Sequence, residues 1–349
     1  MPALPSQRTP WLQRFTWFTA ATTLFLICSG GMVTSKGVGL AVPDWPSTFG
    51  YNMFLFPVSQ WVGGVFFEHT HRLIASGVGF LTIILAVWLW RAESRKWVRM
   101  LGVIALGAVI VQGVLGGLRV TMLKDEIGIF HACLAQAFLG LLVFIGVVCS
   151  RRWLNATPRQ RLQSSLLWLP VVTTIVIYLQ LGLGATMRHQ HRDLSILDFP
   201  AAYGRVIPDV SEASLASINQ WREARALSEV NAGQIWLQMA HRFVALIISA
   251  GVIAYWVAMM RQRVEDPSGM LRALSSLWLF FLACQVTLGA WTIWSNKAAD
   301  VATAHVAVGA TMLALGITIS AFAARLRTAS EQATSRPPNT PVLQAAGAR

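Results

Sequence analysis

Two short stretches of the chain place histidine and arginine together, preceded by an acid or its amide. The first is "EHTHR" at 68–72 and the second is "QMAHR" at 238–242. Each borders a long apolar run, where a charged or titratable group is costly and needs a partner or a task. Glu68 precedes His71 by three residues, so both project from one face of a helix. The second stretch has Gln238, which cannot ionise, so only the first combines a histidine with a carboxylate.

Four histidines fall at corresponding places, one at the start of every second apolar run. These are His71, His131, His241 and His305. Two helices that present imidazoles at one height can bind a single metal from opposite sides. A sulfur-poor apolar pocket with two imidazoles favours haem iron over zinc, which takes four ligands. The pattern therefore predicts two bis-histidine haem sites, His71 with His131 and His241 with His305. The alternative for each histidine taken singly is a residue that caps a helix at the membrane interface.

The residues beside these histidines suggest further roles. Arg72 and Arg242 each follow a predicted ligand, and an arginine can bind a haem propionate in bidentate fashion. Their alternative is anchoring at the membrane interface. Glu68 in a medium of low dielectric constant suits proton transfer, unless it only complements the helix dipole. His69 lies about 200° around the helix from His71, so it is predicted to line the pocket without binding iron.

Composition predicts the elements that carry these groups. The chain of 349 residues is 55% hydrophobic and only 12% charged, about half the roughly 25% of a soluble protein. Apolar runs of about 20 residues, long enough to cross a bilayer, occur near the eight ranges 15–34, 71–90, 100–118, 128–149, 166–185, 237–259, 272–294 and 302–324. Since polar and apolar residues do not alternate in them, they predict helices rather than a barrel. The predicted fold is an all-α polytopic membrane protein with eight transmembrane helices.

The net charge of +13 reports topology rather than a nucleic-acid partner. If the runs cross the membrane in turn, 17 Lys and Arg residues fall on the side of the termini and nine on the other, with Arg72 and Arg242 at helix mouths. The positive-inside rule then places both termini in the cytoplasm and the histidines toward the outer face. A bacterial inner membrane is predicted, with the mitochondrial inner membrane as the alternative.

The two halves of the chain resemble each other. "DWPSTFG" (44–50) aligns with "DFPAAYG" (198–204), "EHTHR" with "QMAHR", and "VQGVLGGL" (111–118) with "CQVTLGAW" (284–291). The chain is therefore predicted to be two duplicated four-helix bundles. The boundaries divide it into an N-terminus (1–14), a first bundle (15–149), a linker (150–165), a second bundle (166–324) and a disordered cytoplasmic tail (325–349).

Loops and isolated residues complete these expectations. The long loop after the first run predicts a folded cap, and "PDVSEASLASINQWREARALSEV" predicts an amphipathic helix in the second loop. Asp44 and Asp198 are expected to cap turns. His189 and His191 are expected in a solvated basic loop, rather than in a transient metal site. The four cysteines form no CxxC pair and are predicted to be packing thiols.

Taken together, these motifs resemble those of the haem A synthase family over about residues 15–325. The resemblance rests on Glu68-x-x-His71-Arg72, the Pro43-Asp44-Trp45-Pro46 loop, His131, Ala240-His241-Arg242, His305 and the two four-helix halves. It implies an oxidoreductase that oxidises the C8 methyl group of haem O to a formyl group by successive hydroxylations. It also implies that His71 and His131 flank the substrate haem, that Glu68 is the essential carboxylate, and that His241 and His305 ligate a haem b cofactor.

One feature departs from the family pattern. Many bacterial members carry a cysteine pair in the first outer loop, where this chain has Val42 and Thr48, so no thiol chemistry can operate there. Contact with the farnesyltransferase that makes haem O and with oxidase assembly factors is expected from the pathway, and a homo-oligomer is left open. The first rival class is a dihaem b-type electron carrier without haem-modifying activity, which gives no reason for Glu68 where the repeat has Gln238. The second is a haem-handling or transport protein, which the duplicated halves permit.

Overall fold

The structure is a computed structural model that describes residues 10–156, 164–190, 194–261 and 269–334. Within these ranges the secondary structure is helical, apart from isolated β-bridges at Thr48–Tyr51 and Ala202–Arg205. The helices are α1 (Pro10–Ser35), α2 (Gly63–Ala92), α3 (Lys96–Met122), α4 (Asp125–Val148), α5 (Arg151–Leu154), α6 (Ser164–His189), α7 (Glu212–Glu223), α8 (Ala232–Arg261), α9 (Met270–Trp294) and α10 (Ala299–Thr334). Eight of them, all except α5 and α7, are long and apolar enough to cross a membrane. The predicted all-α, eight-span class is confirmed, and the chain is a multi-pass membrane protein.

The eight long helices pack as two groups of four. In the first group α2 contacts α1 and α3, and α4 contacts α1 and α3, which closes a ring. In the second group α8 contacts α6 and α9, and α10 contacts α6 and α9. The groups meet where α1 and α4 pack against α10 and where α4 packs against α6. A continuous hydrophobic core joins both groups, so the two sets of histidine-bearing helices are held in one body.

Several helices begin or end beyond the ranges that hydropathy predicts. Helix α2 begins at Gly63 and α8 at Ala232, so the histidines lie in the second or third turn of their helices and not at the first residue. The early start of α2 is tolerated because buried Glu68 is satisfied by hydrogen bonds within the protein. Helix α10 continues to Thr334, past the predicted start of the tail at 325. The rest of that tail, and residues 157–163 of the predicted linker, lie outside the described residues.

Both long loops are folded over the same end of the bundles as the histidines. The first, 36–62, contains two 3-10 turns at Met53–Leu55 and Val58–Gln60 and buries Val42 and Phe56. The second contains α7, which Ser211 caps, and this confirms the predicted amphipathic helix. Leu215 and Ile218 of α7 pack on a small core of loop and helix residues, namely Ile196, Ala202, Val230, Ile235 and Met239. We call these folded loops the first cap and the second cap.

Candidate functional site

Each of the four histidines packs against a glycine of a neighbouring helix, namely α1, α3, α6 or α9. A Cβ atom at Gly30 would lie 2.9 Å from His71 Cε1, and one at Gly116 would lie 3.3 Å from His131 Cε1. In the second group the corresponding distances are 3.5 Å from Gly184 to His241 Cε1 and 3.1 Å from Gly289 to His305 Cε1. The missing side chains let each imidazole approach a helix backbone closely. The same contact thus recurs four times, twice in each bundle.

The nitrogen atoms of these rings are largely unpaired within the described chain. The Nδ1 atoms of all four histidines are buried without a hydrogen-bond partner. Among the described residues, the one hydrogen bond to an Nε2 of this set is a long one of 3.5 Å between His305 and Gln285. Buried polar atoms are normally satisfied, so a cluster of unpaired ring nitrogens needs an explanation. One explanation is a bound group that is coordinated by the imidazole lone pairs.

The donor set fits haem iron better than a bare metal ion. No group of three or more His, Cys, Asp or Glu side chains with metal-binding geometry occurs in the described ranges. A haem needs only two axial protein ligands, because the macrocycle supplies the other four. His71 lies within electrostatic range of His131, and His241 within range of His305, so each bundle brings its own pair together. The residues present therefore fit one bis-histidine haem in each bundle.

The carboxylate of Glu68 is buried and fixed to the first cap. Its Oε2 accepts a hydrogen bond from Val42 N at 2.8 Å, and its Oε1 pairs with Arg72 Nη2 at 2.8 Å. The side chains of the pair are 5% and 10% exposed, so the ion pair is well shielded from solvent. Glu68 lies one turn before His71 on the same face of α2. The arrangement places an ionisable group beside the first imidazole.

Gln238 makes the matching contact in the second cap without a charge. Its Oε1 accepts from Ile196 N at 2.8 Å, and its Nε2 donates to Ile196 O at 3.1 Å. The offset between Val42 and Ile196 is the same 154 residues that relates the two Asp-aromatic-Pro loops. An amide therefore anchors the loop as well as a carboxylate does. Anchoring alone does not require an acid at position 68.

Arg72 and Arg242 clamp the caps through backbone carbonyl groups. Arg72 donates from Nη1 to Asp44 O and Ser47 O, and from Nη2 to Val42 O and the Glu68 carboxylate. All four of its Nη hydrogens are thus used. Arg242 makes the same type of contact, to the carbonyl groups of Asp198, Pro200 and Ala201. The hydrogen bonds of both arginines therefore hold the caps over the histidines.

The turns in both caps are closed by an aspartate, as the sequence predicts. Asp44 accepts from Phe49 N, Gly50 N and Ser47 Oγ, and Asp198 accepts from Tyr203 N and Gly204 N. Partial burial alone would raise the pKa of Asp44. The hydrogen bonds from Gly50, Ser47 and Phe49 outweigh that effect and leave its pKa below the usual value.

His69 and His189 lie apart from the paired imidazoles. His69 of α2 is fully buried against the first cap, where its ring packs against Phe56 and Trp61 at centroid distances of 5.1 and 4.7 Å. His189 ends α6 and is buried, with its ring against Gly128 of α4. The predicted solvated loop is therefore wrong for His189, because α6 extends past the predicted end at 185. His191 lies outside the described residues.

Sequence reasoning missed Arg119, a cation at the first site. It lies one helical turn after Gly116, on the face of α3 that contacts His131. It also missed Gly30 and Gly184 as histidine contacts. The internal repeat carried a signal for both. It aligns "GGMV" with "GATM", which pairs Gly30 with Gly184, and it aligns Arg119 with Thr292, so that a cation stands at this position only in the first half.

Comparison with known proteins identifies the family. The COX15-CtaA family model, described as cytochrome oxidase assembly protein, matches residues 13–317. The chain belongs to this family. It is 28% identical over 311 residues to the heme A synthase of Geobacillus kaustophilus, covering 83% of this chain and 85% of that protein. It is 24% identical over 341 residues to the heme A synthase of Shewanella oneidensis, covering 89% and 96%.

Proposed function

We propose that this chain is a haem A synthase, an oxidoreductase that converts the C8 methyl group of haem O to a formyl group through successive hydroxylations. Membership of a cytochrome oxidase assembly family and similarity to named heme A synthases support this proposal. The single observation that carries it is the unequal pair of sites. Two imidazole pairs are held alike, and only one has a carboxylate beside it.

The two bundles are proposed to do different work. His71 and His131 would hold the substrate haem in the first bundle, and His241 and His305 would hold a haem b in the second. The unpaired ring nitrogens and the four glycine contacts support both assignments. Haem b, when bound, supplies a one-electron relay.

Glu68 is proposed to receive the proton that leaves the substrate methyl group during its oxidation. Each oxygen of an ionised carboxylate has two lone-pair positions. Contacts to Val42 and Arg72 occupy one on each oxygen, so each retains a position for a proton. The same contacts fix the carboxylate relative to His71, which is what a general base requires. Gln238, which cannot take up a proton in this way, suits a site that only transfers electrons.

The caps are proposed to exclude water from the two sites. Arg72 and Arg242 hold the caps by their carbonyl groups, and His69 fills the first cap, so all three contribute to the pocket walls. Exclusion of water strengthens the electrostatic effect of Glu68 and protects reactive intermediates. Arg242 retains a buried, unpaired Nε that can meet a propionate of haem b.

The proposed location is a bacterial inner membrane with both termini in the cytoplasm and the caps on the outer face. The Lys and Arg asymmetry and the bacterial relatives support it. The farnesyltransferase that makes haem O is a proposed partner, because a substrate so poorly soluble in water favours direct transfer.

Chromatography of extracted haems tests the proposed function. The chain is expressed in a host that makes haem O but has no haem A synthase of its own. Haem A together with hydroxylated haem O is the expected result. Bound b-type haem with no modified haem in the extract would instead identify an electron carrier, and the proposal would be wrong.

A further inference from the structure

Arg119 is a partly buried cation in the last turn of α3, at the end of the first bundle that carries the histidines. Its guanidinium lies against the backbone of the first cap, since a Cβ atom at Gly39 would come within 2.9 Å of Nη2 and 3.2 Å of Nη1. A side chain at position 39 would occupy the place of the guanidinium. The close approach therefore depends on a glycine in the cap.

Within the described ranges the guanidinium of Arg119 has no hydrogen bond and no ion pair, although it lies within electrostatic range of His71, His131, Glu68 and Asp125. Of the two carboxylates in that range, Glu68 is already bonded to Val42 and Arg72, and Asp125, in the first turn of α4, forms no ion pair with the guanidinium. Arginine has five N–H donors, and leaving them without an acceptor in a partly buried position is costly. An anion is the group that this position lacks.

The neighbouring arginine cannot supply the same contact. Arg72 uses all four Nη hydrogens on the cap and on Glu68. The second bundle offers no equivalent of Arg119, because the repeat places Thr292 there and its hydroxyl donates to Leu288 O within α9. At this position of the repeat, therefore, the first bundle has a cation and the second has none.

We propose that Arg119 binds a propionate carboxylate of the haem held between His71 and His131, and so orients the substrate in the first bundle. This inference rests on the proposed function. The propionates are the anionic groups of haem O, and an arginine recognises a carboxylate through two parallel hydrogen bonds. Propionates that meet Arg119 fix the rotation of the macrocycle about the axis through iron, and therefore fix which methyl group lies near Glu68. Arg72 keeps its role as the clamp of the cap.

A binding experiment with two probes tests this assignment. The purified full-length chain is titrated with haem O and with its propionate dimethyl ester, and the Soret band reports binding. The signal lost in His131→Ala defines the first site. Wild type is expected to bind haem O roughly tenfold to a hundredfold more tightly than the ester, the range for a charge-assisted hydrogen bond. Arg119→Gln is expected to bind both probes with the weak affinity that wild type has for the ester.

Two further variants are the controls. Lys124→Gln removes a positive charge from an exposed residue at the same end of the bundle, and it is expected to discriminate as wild type does. Arg119→Lys keeps the charge but not the bidentate geometry, and its discrimination is expected to fall between the two. If Arg119→Gln does not fold, the difference in affinity between haem O and its ester in Arg119→Lys tests the assignment instead.

The outcomes separate this inference from the proposed function. Full discrimination between the two probes in Arg119→Gln, or in Arg119→Lys where the former does not fold, overturns the Arg119 assignment while haem A formation by wild type stands. Wild type that binds both probes equally also overturns it. Wild type that binds no haem O and forms no haem A overturns both.

Discussion

Replacement of Glu68 by glutamine separates the chemistry of this residue from its structural role. The second bundle already shows what an amide does at this position, since Gln238 accepts from Ile196 N at 2.8 Å and donates to Ile196 O at 3.1 Å. Glutamine at 68 can therefore accept from Val42 N in the same way. What it loses is the ion pair with Arg72, and with it the capacity to take up a proton.

The magnitudes predict a folded but inactive protein. Loss of the charged partner of Arg72 costs about 1–3 kcal/mol, because three carbonyl groups still accept from that guanidinium. This is less than the roughly 5–15 kcal/mol by which proteins are stable. Loss of a general base lowers the rate about 10²- to 10⁴-fold. The catalytic effect should therefore dominate, with normal protein levels and normal b-type haem content.

The assay supplies membranes carrying Glu68→Gln with haem O and quantifies haem A by chromatography against the amount of protein. Gln238→Glu is the matched control and is expected to retain haem A formation, because the second bundle is proposed only to relay electrons. Undiminished haem A formation by Glu68→Gln would refute the proposed role of the carboxylate.

Three other predictions follow from contacts in the same region. Arg72→Leu leaves the buried carboxylate of Glu68 without its cationic partner, so thermal unfolding of the purified protein should show a loss of about 3–5 kcal/mol, and an unchanged unfolding temperature would contradict the clamp. Gly30→Ala should displace the imidazole 2.9 Å away and reduce haem binding in the first bundle, whereas Gly184→Ala, with 3.5 Å available, should not, and equal spectra of the two variants would be the contrary result. The lowered pKa of Asp44 means that its contribution to stability is complete above the usual carboxyl pKa and is lost as the pH falls through the lower folded value, so Asp44→Asn should weaken the acid dependence of unfolding, and identical pH profiles would disprove this.

Local sequence patterns were sufficient for the parts of the fold that depend on local composition. Long apolar runs predict the spans because a bilayer requires about 20 residues of helix. The recurrence of histidine at repeat-related positions predicts the pairs, and Asp-aromatic-Pro predicts the capped turns, which the contacts of Asp44 and Asp198 confirm. The spans and the capped turns are encoded by neighbouring residues, whereas the histidine pairs are predicted from the internal repeat.

Tertiary contacts account for what the patterns missed. The start of α2 at Gly63 depends on the cap that satisfies Glu68, and hydropathy does not include such a partner. The use of Arg72 on cap carbonyl groups likewise depends on how the loop folds back. Arg119 resembles an ordinary interfacial arginine in sequence, and only its position against Gly39 and near the paired imidazoles distinguishes it.

Haem stoichiometry after ligand removal tests most directly the claim that the two bundles hold different haems. Pyridine-haemochrome spectra are measured on purified wild type, on the His71→Ala, His131→Ala double variant and on the His241→Ala, His305→Ala double variant, each expressed without haem O. The account predicts that b-type haem is retained in the first double variant and lost in the second. Retention of all b-type haem in the second double variant would contradict it.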